Sequence, residues 1–84
     1  MKNAVNLAEL DVGERARVAG LYIDGGMRRR LLDIGLTKGA TVECVGKSPL
    51  GDPTAFLIRG AVIAIRREDC KKILICEVMC GGGR

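Results

Sequence analysis

The chain has 84 residues, a length at which a single small domain is expected. Its hydrophobic content of 48% supplies a core and excludes a disordered chain, although Tyr22 and Phe56 are its only aromatic residues. The net charge of +4 fits an acidic partner surface or the cytoplasmic face of a membrane. No apolar stretch reaches the ~18 residues of a membrane span, and the acidic N-terminal segment is unlike a secretory signal, so we expect a cytoplasmic protein.

The chain begins with a predicted entry segment and a strand. In residues 1–14, Leu7 and Leu10 are spaced to anchor this segment on the core. Polar and apolar residues alternate in Arg15–Tyr22, which predicts a strand. Asp24 follows the strand and is a candidate N-cap for the helix that comes next.

A short helix is predicted after this strand, because Met27, Leu31 and Ile34 fall on one narrow arc at about 100° per residue. Gly35 stands where a helix needs a left-handed residue to stop, and glycine adopts that conformation without a Cβ clash. Leu36 follows at the position that usually folds back onto the last helical turn. The helix is therefore expected to lie between two strands with its apolar arc on the core.

A second strand and a hairpin are predicted after the helix. Gly39 indicates another tight turn, and the alternation in Ala40–Lys47 is typical of a strand. The ranges Thr54–Arg59 and Val62–Arg66 then read as the two arms of a hairpin. Residues 60–61, Gly-Ala, suit a two-residue connection with glycine in the first central place.

This connection predicts the register of the hairpin. Ile58 is expected opposite Ile63, and Phe56 opposite Ile65, with all four side chains on one face. The opposite face would carry Leu57, Arg59, Val62 and Ala64.

The C-terminal part predicts a helical turn at Arg67–Lys72 with Cys70 buried, a last strand at Ile73–Val78, and a flexible tail over residues 79–84. Five short strands with one small helix cannot bury their apolar sides in a flat sheet. Closing or half-closing the sheet into a small barrel buries the apolar side chains in one core and leaves fewer strand edges exposed. We therefore expect a mainly β domain.

The four cysteines have no zinc-site spacing, since CxxC pairs and histidines are absent. Cys44 and Cys70 occupy apolar periodic positions and are expected to be small buried hydrophobes. Cys76 and Cys80, separated by three residues, are weak candidates for a metal site. No metal or other cofactor is expected from the sequence.

The chain resembles the FeoA family. The resemblance is carried by residues 27–36 (MRRRLLDIGL) and 38–42 (KGATV), by the hairpin at residues 56–66 (FLIRGAVIAIR), and by Leu7 and Leu10 near the start. Together these pieces span most of residues 7–78. Two features depart from the family pattern, in which proline is common at the position of Lys38 and the four cysteines and the MCGGGR end have no counterpart.

The resemblance implies one SH3-like barrel over residues 1–78 and a role in bacterial ferrous iron uptake. FeoA proteins are small cytoplasmic components that accompany FeoB, a membrane transporter with a GTPase domain, and are thought to bind or regulate it. A FeoB-type transporter is thus the expected partner, approached from the cytoplasm. This role requires protein–protein contact and does not require the chain to bind iron itself.

Two surfaces are candidates for that contact. The arginines of the predicted helix either form a solvated face or meet an acidic surface on the partner. The outer hairpin face is either covered by residues 1–14 or the C-terminal strand, or open for docking. Arg30 flanks the apolar arc and is expected to bond a loop carbonyl. Partner contact is assigned to Arg28, Arg29, Leu57, Arg59, Val62 and Ala64, and a role in the fold to Arg30, Leu31, Gly35, Leu36, Gly39 and Gly60.

The sequence shows no catalytic constellation, phosphate loop or paired carboxylates, so we do not expect an enzyme. The alternatives are a basic nucleic-acid-binding module and a metal-responsive module. Nucleic-acid binding would weaken steeply with salt. A metal-responsive module would use Cys76 and Cys80, whose thiols would then lose reactivity on addition of zinc or iron.

Overall fold

The alternating strand patterns and the one helical arc give the predicted order of elements. The computed structural model describes residues 6–80, with the side chain of Cys80 left out. In chain order the elements are a 3-10 turn (Leu7–Glu9), β1 (Glu14–Leu21), α1 (Gly25–Asp33), β2 (Thr41–Lys47), β3 (Thr54–Ile58), β4 (Ala61–Ile65), α2 (Arg67–Cys70) and β5 (Ile73–Cys80).

The strands of this described range form one antiparallel sheet in the order β4-β3-β2-β1-β5. The pairing of β1 with β5 shifts register twice, and that of β2 with β3 shifts once. Such bulges increase the local twist, which lets a short sheet curl around its own inner side chains. The mainly β class predicted from the sequence is confirmed.

The core lies on the inner face of the curled sheet. Leu7 and Leu10 are fully buried, so the predicted anchoring of the entry segment is confirmed. Phe56 is the largest of the fully buried side chains, and burial of each large apolar side chain contributes about 1.5–3 kcal/mol. The other buried hydrophobic side chains are aliphatic or cysteine: Ala16, Val18, Ile23, Leu31, Leu36, Ala40, Val42, Cys44, Ile58, Ile65, Cys70, Ile73, Ile75 and Val78.

Helix α1 ends as its sequence predicts. Gly35 has φ +97°, its N–H donates to the Leu32 carbonyl at 3.0 Å, and the Leu36 N–H donates to the Leu31 carbonyl at 2.9 Å. This pair of bonds is the Schellman arrangement, in which the side chains of Leu31 and Leu36 meet beneath the helix end. Both leucines are fully buried, so the helix end is fixed to the core.

The turns on either side of α1 are built differently. Asp24 occupies the N-cap position, but its side chain makes no capping hydrogen bond. Gly39 has φ +92°, and the Ala40 N–H donates to the Thr37 carbonyl at 2.9 Å, as the predicted tight turn requires.

The hairpin register differs from the prediction by two residues. Ile58 pairs with Ala61 and Phe56 with Ile63, so the central turn residues are Arg59 and Gly60. Both have positive φ, +48° and +87°, as a type I′ turn requires.

The prediction was wrong because it placed glycine first in the turn and did not allow an arginine in the left-handed region. A shift of two residues keeps every side chain on its predicted face. The inner and outer faces of the hairpin are therefore unchanged by the correction.

The last strand is longer than predicted. It continues through Met79 and Cys80, so the expected tail does not begin at residue 79. The remaining positions of that predicted tail, residues 81–84, lie outside the described range, as do residues 1–5 at the other end.

We expect Gly35→Ala to destabilise the fold by about 1–2 kcal/mol, because alanine is strained at φ +97° and its Cβ would overlap the Arg59 side chain. The melting temperature should fall by roughly 4–8 °C per kcal/mol in thermal unfolding followed by circular dichroism. The matched control is Gly26→Ala, also in α1, where φ is not positive and no atom lies within 4 Å of the new Cβ. Equal melting temperatures for Gly35→Ala and the wild type would contradict this description of the helix end.

Candidate partner-binding surface

Helix α1 and strand β4 form the two walls of an open cleft of about 300 Å³. Met27, Arg30 and Leu31 line it from the helix, and Val62, Ile63 and Ala64 line it from the strand. Leu31 is fully buried and forms part of the floor, while Met27 and Ile63 are half-buried and pack against the core. The cleft is thus a mainly apolar hollow whose charged lining residue is Arg30.

The outer face of the hairpin is open on the described part of the molecule. Val62 is 62% exposed and lies opposite the half-buried Leu57, and the exposed Ala64 lies opposite Ala55. Val62 and Ala64 stay exposed with residues 6–80 in place, so neither residues 6–14 nor β5 covers them. The first five residues of the predicted covering segment, 1–14, lie outside the described range. The result is a small apolar patch that continues from the Val62 and Ala64 wall of the cleft.

The arginines of α1 divide differently from the prediction. Arg28, not Arg30, bonds a backbone carbonyl: its Nη1 donates to the carbonyl of Leu21, the last residue of β1, at 3.0 Å and so ties α1 to this strand. Arg30 is exposed, lines the cleft, and shows no such bond within the described range. The sequence pattern gives the side of the helix on which an arginine lies, but it does not show which backbone carbonyl comes within reach.

Arg29 stays exposed on the side of α1 that faces away from the core. Arg29 makes no ion pair with Asp33, four residues later on the same helix, since the ion pairs recorded for the described residues join other side chains. Arg29 and Asp33, with Gly25, Arg28 and Leu32, line a shallower hollow of about 360 Å³ along this side of the helix. Arg29 is therefore available to a partner.

Arg59 has a structural contact as well as an exposed position. Its aliphatic stem crosses directly over Gly35, where even a single added methyl would overlap it. This places a positive charge near the C-terminal end of α1, the negative end of the helix dipole. Arg59 therefore joins the hairpin turn to the helix end, a role that its place in the sequence does not predict.

Two residues of the cleft were not expected there. Ile63 packs against the core, as predicted, and also lines the cleft, as does Arg30, to which a role in the fold was assigned. The missing information was the order of strands, because β4 is an edge strand and its residues border open space beside α1. Residues 61–64 of β4 are half-buried and exposed in turn, because the strand lies at the edge of the sheet.

Three cysteines are described as free thiols. Burial raises the pKa of the Cys70 thiol to about 12, and its Sγ lies 3.6 Å from the Ile65 carbonyl oxygen, to which the thiol donates. Burial also raises the pKa of the Cys44 thiol. Both match the predicted role as small buried hydrophobes.

The two cysteines considered as metal ligands are Cys76 and Cys80. Cys76 is half-buried on β5, and the side chain of Cys80 lies outside the described part of the structure. Within that part, no group of three or more potential ligands converges on one point. The pair of cysteines therefore gains no support as a metal centre from the neighbouring side chains.

A small curled antiparallel sheet with one short helix after its first strand defines an SH3-like domain. The model of the FeoA domain family matches residues 5–76, so the chain belongs to the FeoA family. Members of this family are associated with ferrous iron transport. Among residues 6–80 no helix combines the length and the hydropathy that crossing a bilayer requires.

Known relatives agree with this assignment. The FeoA protein from Chlorobium tepidum, solved by solution NMR, is 34% identical with a TM-score of 0.78 over 94% of this chain and 72% of that one. FeoA of Stenotrophomonas maltophilia, a prokaryotic SH3 domain protein crystallised with zinc, is 27% identical with a TM-score of 0.74 over 87% of this chain and 91% of that one.

A third relative is much longer than this chain. It is a fusion of Fe(2+) transport protein A with the Fe(2+) transporter FeoB from Porphyromonas gingivalis strain W83, and it is 35% identical over 69 residues. These residues make up 82% of this chain and 8% of the fusion.

We expect Cys44 and Cys70 to be unreactive in the folded protein, because burial shields them and keeps them protonated. In a Cys76→Ser, Cys80→Ser background, Ellman's reagent at neutral pH should modify the two remaining thiols at least about 100-fold faster in urea than in buffer. The difference in reaction rate between the wild type and the double variant, both in buffer, gives the reactivity of Cys76 and Cys80. Equal rates for the double variant with and without urea would contradict the described core.

Proposed function

We propose that this chain is a non-catalytic accessory protein of ferrous iron uptake that acts from the cytoplasm by binding a FeoB-type transporter. The observation that supports this most directly is the Porphyromonas gingivalis relative, in which a matching segment and FeoB belong to one polypeptide. Fusion raises the effective concentration of two modules to about the millimolar range. An interface between this chain and the transporter would give the same proximity.

The surface around α1 and the hairpin is the best candidate for this interface. It combines an apolar patch at Leu57, Val62 and Ala64 with basic side chains on the neighbouring helix. An apolar centre with a charged rim is the usual composition of a specific protein contact. Arg29 contributes to the rim without a competing partner among the described ion pairs, which favours an acidic surface on the transporter.

Not every predicted contact residue is equally suited to this role. Arg28 is held by the Leu21 carbonyl, and the stem of Arg59 lies on Gly35, so both serve the fold first. Their charged ends remain at the rim, because both residues are exposed. We therefore assign most of the binding free energy to Val62 and its apolar neighbours, and the choice of orientation to Arg29.

We propose that binding affects transport by favouring one conformation of the transporter. A protein that binds one state of its partner more tightly shifts the equilibrium toward that state, and the shift cannot exceed the difference in binding free energy. No reaction is needed for such an effect. A small rigid domain is sufficient, provided that its docking surface is complementary to only one of the two states.

We expect Val62→Asp and Arg29→Glu each to raise the Kd for the full-length transporter in lipid nanodiscs by about tenfold, or ~1.4 kcal/mol. Val62→Asp places a charge in the apolar patch, and Arg29→Glu reverses the rim charge. Biolayer interferometry with the full chain as analyte measures both effects. The matched control is Lys71→Glu, the same charge reversal at an exposed residue outside both hollows.

Circular dichroism should show that all three variants keep the wild-type melting temperature within a few degrees. If the wild type fails to bind the transporter at any attainable concentration, the proposed function is wrong. If both site variants bind as tightly as Lys71→Glu, the chain binds through another surface.

A further inference from the structure

The two edges of the sheet differ in how they are completed. The outer edge of β5 carries a bridge between Leu74 and Asn6, so the entry segment pairs with part of it. The outer edge of β4 has no partner strand within residues 6–80. An unpaired edge presents a row of N–H and C=O groups on which another extended chain can add.

The hairpin register identifies the groups that are free on this edge. The two-residue turn makes Ile58 and Ala61 a hydrogen-bonded pair, and such pairs alternate with non-bonded ones along an antiparallel ladder. Val62 and Ala64 therefore belong to non-bonded pairs, and their N–H and C=O groups point away from β3. Ile63 lies between them in a bonded pair with Phe56.

The cleft beside α1 follows this edge. Its strand wall consists of Val62, Ile63 and Ala64, which are consecutive residues. A hollow on one face of a sheet would be lined by alternate residues, since neighbouring side chains point to opposite faces. The cleft therefore runs along the unpaired backbone and has room beside it for an extended segment.

The charges around the cleft are positive. Arg30 is the charged residue of its lining, and the exposed Arg59 and Arg66 stand just before and just after β4. The nearest acidic residue of α1, Asp33, lines the hollow on the other side of the helix. An occupant with carboxylates is thus favoured at both ends and across the cleft.

We propose that an extended acidic segment of the FeoB-type transporter adds to β4 as a sixth strand of the sheet. Its backbone pairs with the N–H and C=O groups of Val62 and Ala64, and its carboxylates face Arg30 and the arginines that flank β4. Backbone pairing supplies affinity, and the arginines select an acidic sequence. This proposal rests on the function proposed above and identifies the kind of contact that the transporter makes.

Hydrogen–deuterium exchange of the wild-type full chain tests the pairing directly. On addition of the transporter in nanodiscs, exchange of the Val62 and Ala64 amides should slow by at least about tenfold. The Ile63 amide is the internal control, because it already bonds β3 and should change little. Mass spectrometry with residue-level fragmentation resolves the three positions.

Ala64→Pro tests the same edge by affinity. Proline removes an outward-pointing N–H without taking a bond from the β3–β4 ladder, which is why edge strands accept it. We expect its Kd for the transporter to rise at least about tenfold. The matched control Ala64→Val changes the side chain but keeps the amide, and its Kd should stay within about threefold of wild type.

The charge of the cleft is tested separately at Arg30. Arg30→Glu should weaken binding of the transporter, whereas Arg30→Lys, which keeps the positive charge, should retain most of it.

Every other outcome overturns the proposal, and the measurements distinguish these outcomes from one another. Binding by the wild type without slowed exchange at Val62 and Ala64 leaves the transporter contact in place and rejects the β4 edge. Slow exchange in the free chain that disappears on dilution identifies a second copy as the occupant, and slow exchange at every concentration identifies another part of this chain. Failure of the wild type to bind rejects both the edge and the proposed function.

Discussion

The architecture depends on the left-handed backbone at Gly35. This residue ends α1, brings Leu36 beneath Leu31 in the core, and leaves just enough space for the stem of Arg59 to cross above it. A helix of nine residues is too short to be stable in isolation, so its position depends on such contacts. The helix end and the hairpin turn are held together here, and the cleft between α1 and β4 follows from that arrangement.

The same contact explains a strained residue. Arg59 occupies the left-handed region, which costs a non-glycine residue of order 1 kcal/mol. The type I′ turn needs this conformation, and the packing of the arginine stem over Gly35 offsets part of the cost. The turn, the helix end and the basic rim are thus parts of one structural unit, which adds rigidity to a domain with a small core.

Local patterns in the sequence predict the helices and strands well, but they predict less well which of these elements contact each other in space. Short-range periodicity and turn chemistry predict three features that the structure shows: the alternation in β1 and β2, the buried leucines near the start, and the helix end at Gly35 and Leu36. The hairpin register was wrong by two residues because the turn places an arginine at positive φ, and that choice depends on a contact with a helix end 24 residues earlier in the chain.

The candidate site shows the same limit. The exposure of Val62 and Ala64 follows from alternation, but the bond from Arg28 to Leu21 and the place of Arg30 in the cleft depend on which elements are neighbours in space. The measurement that tests the central claim most directly is an NMR titration of the isotope-labelled full chain with the transporter in nanodiscs. We expect amide signals to shift or broaden first at residues 27–35 and 57–64. Changes centred on β1 and β5, with the α1–β4 surface unaffected, would contradict the claim that this surface binds the partner.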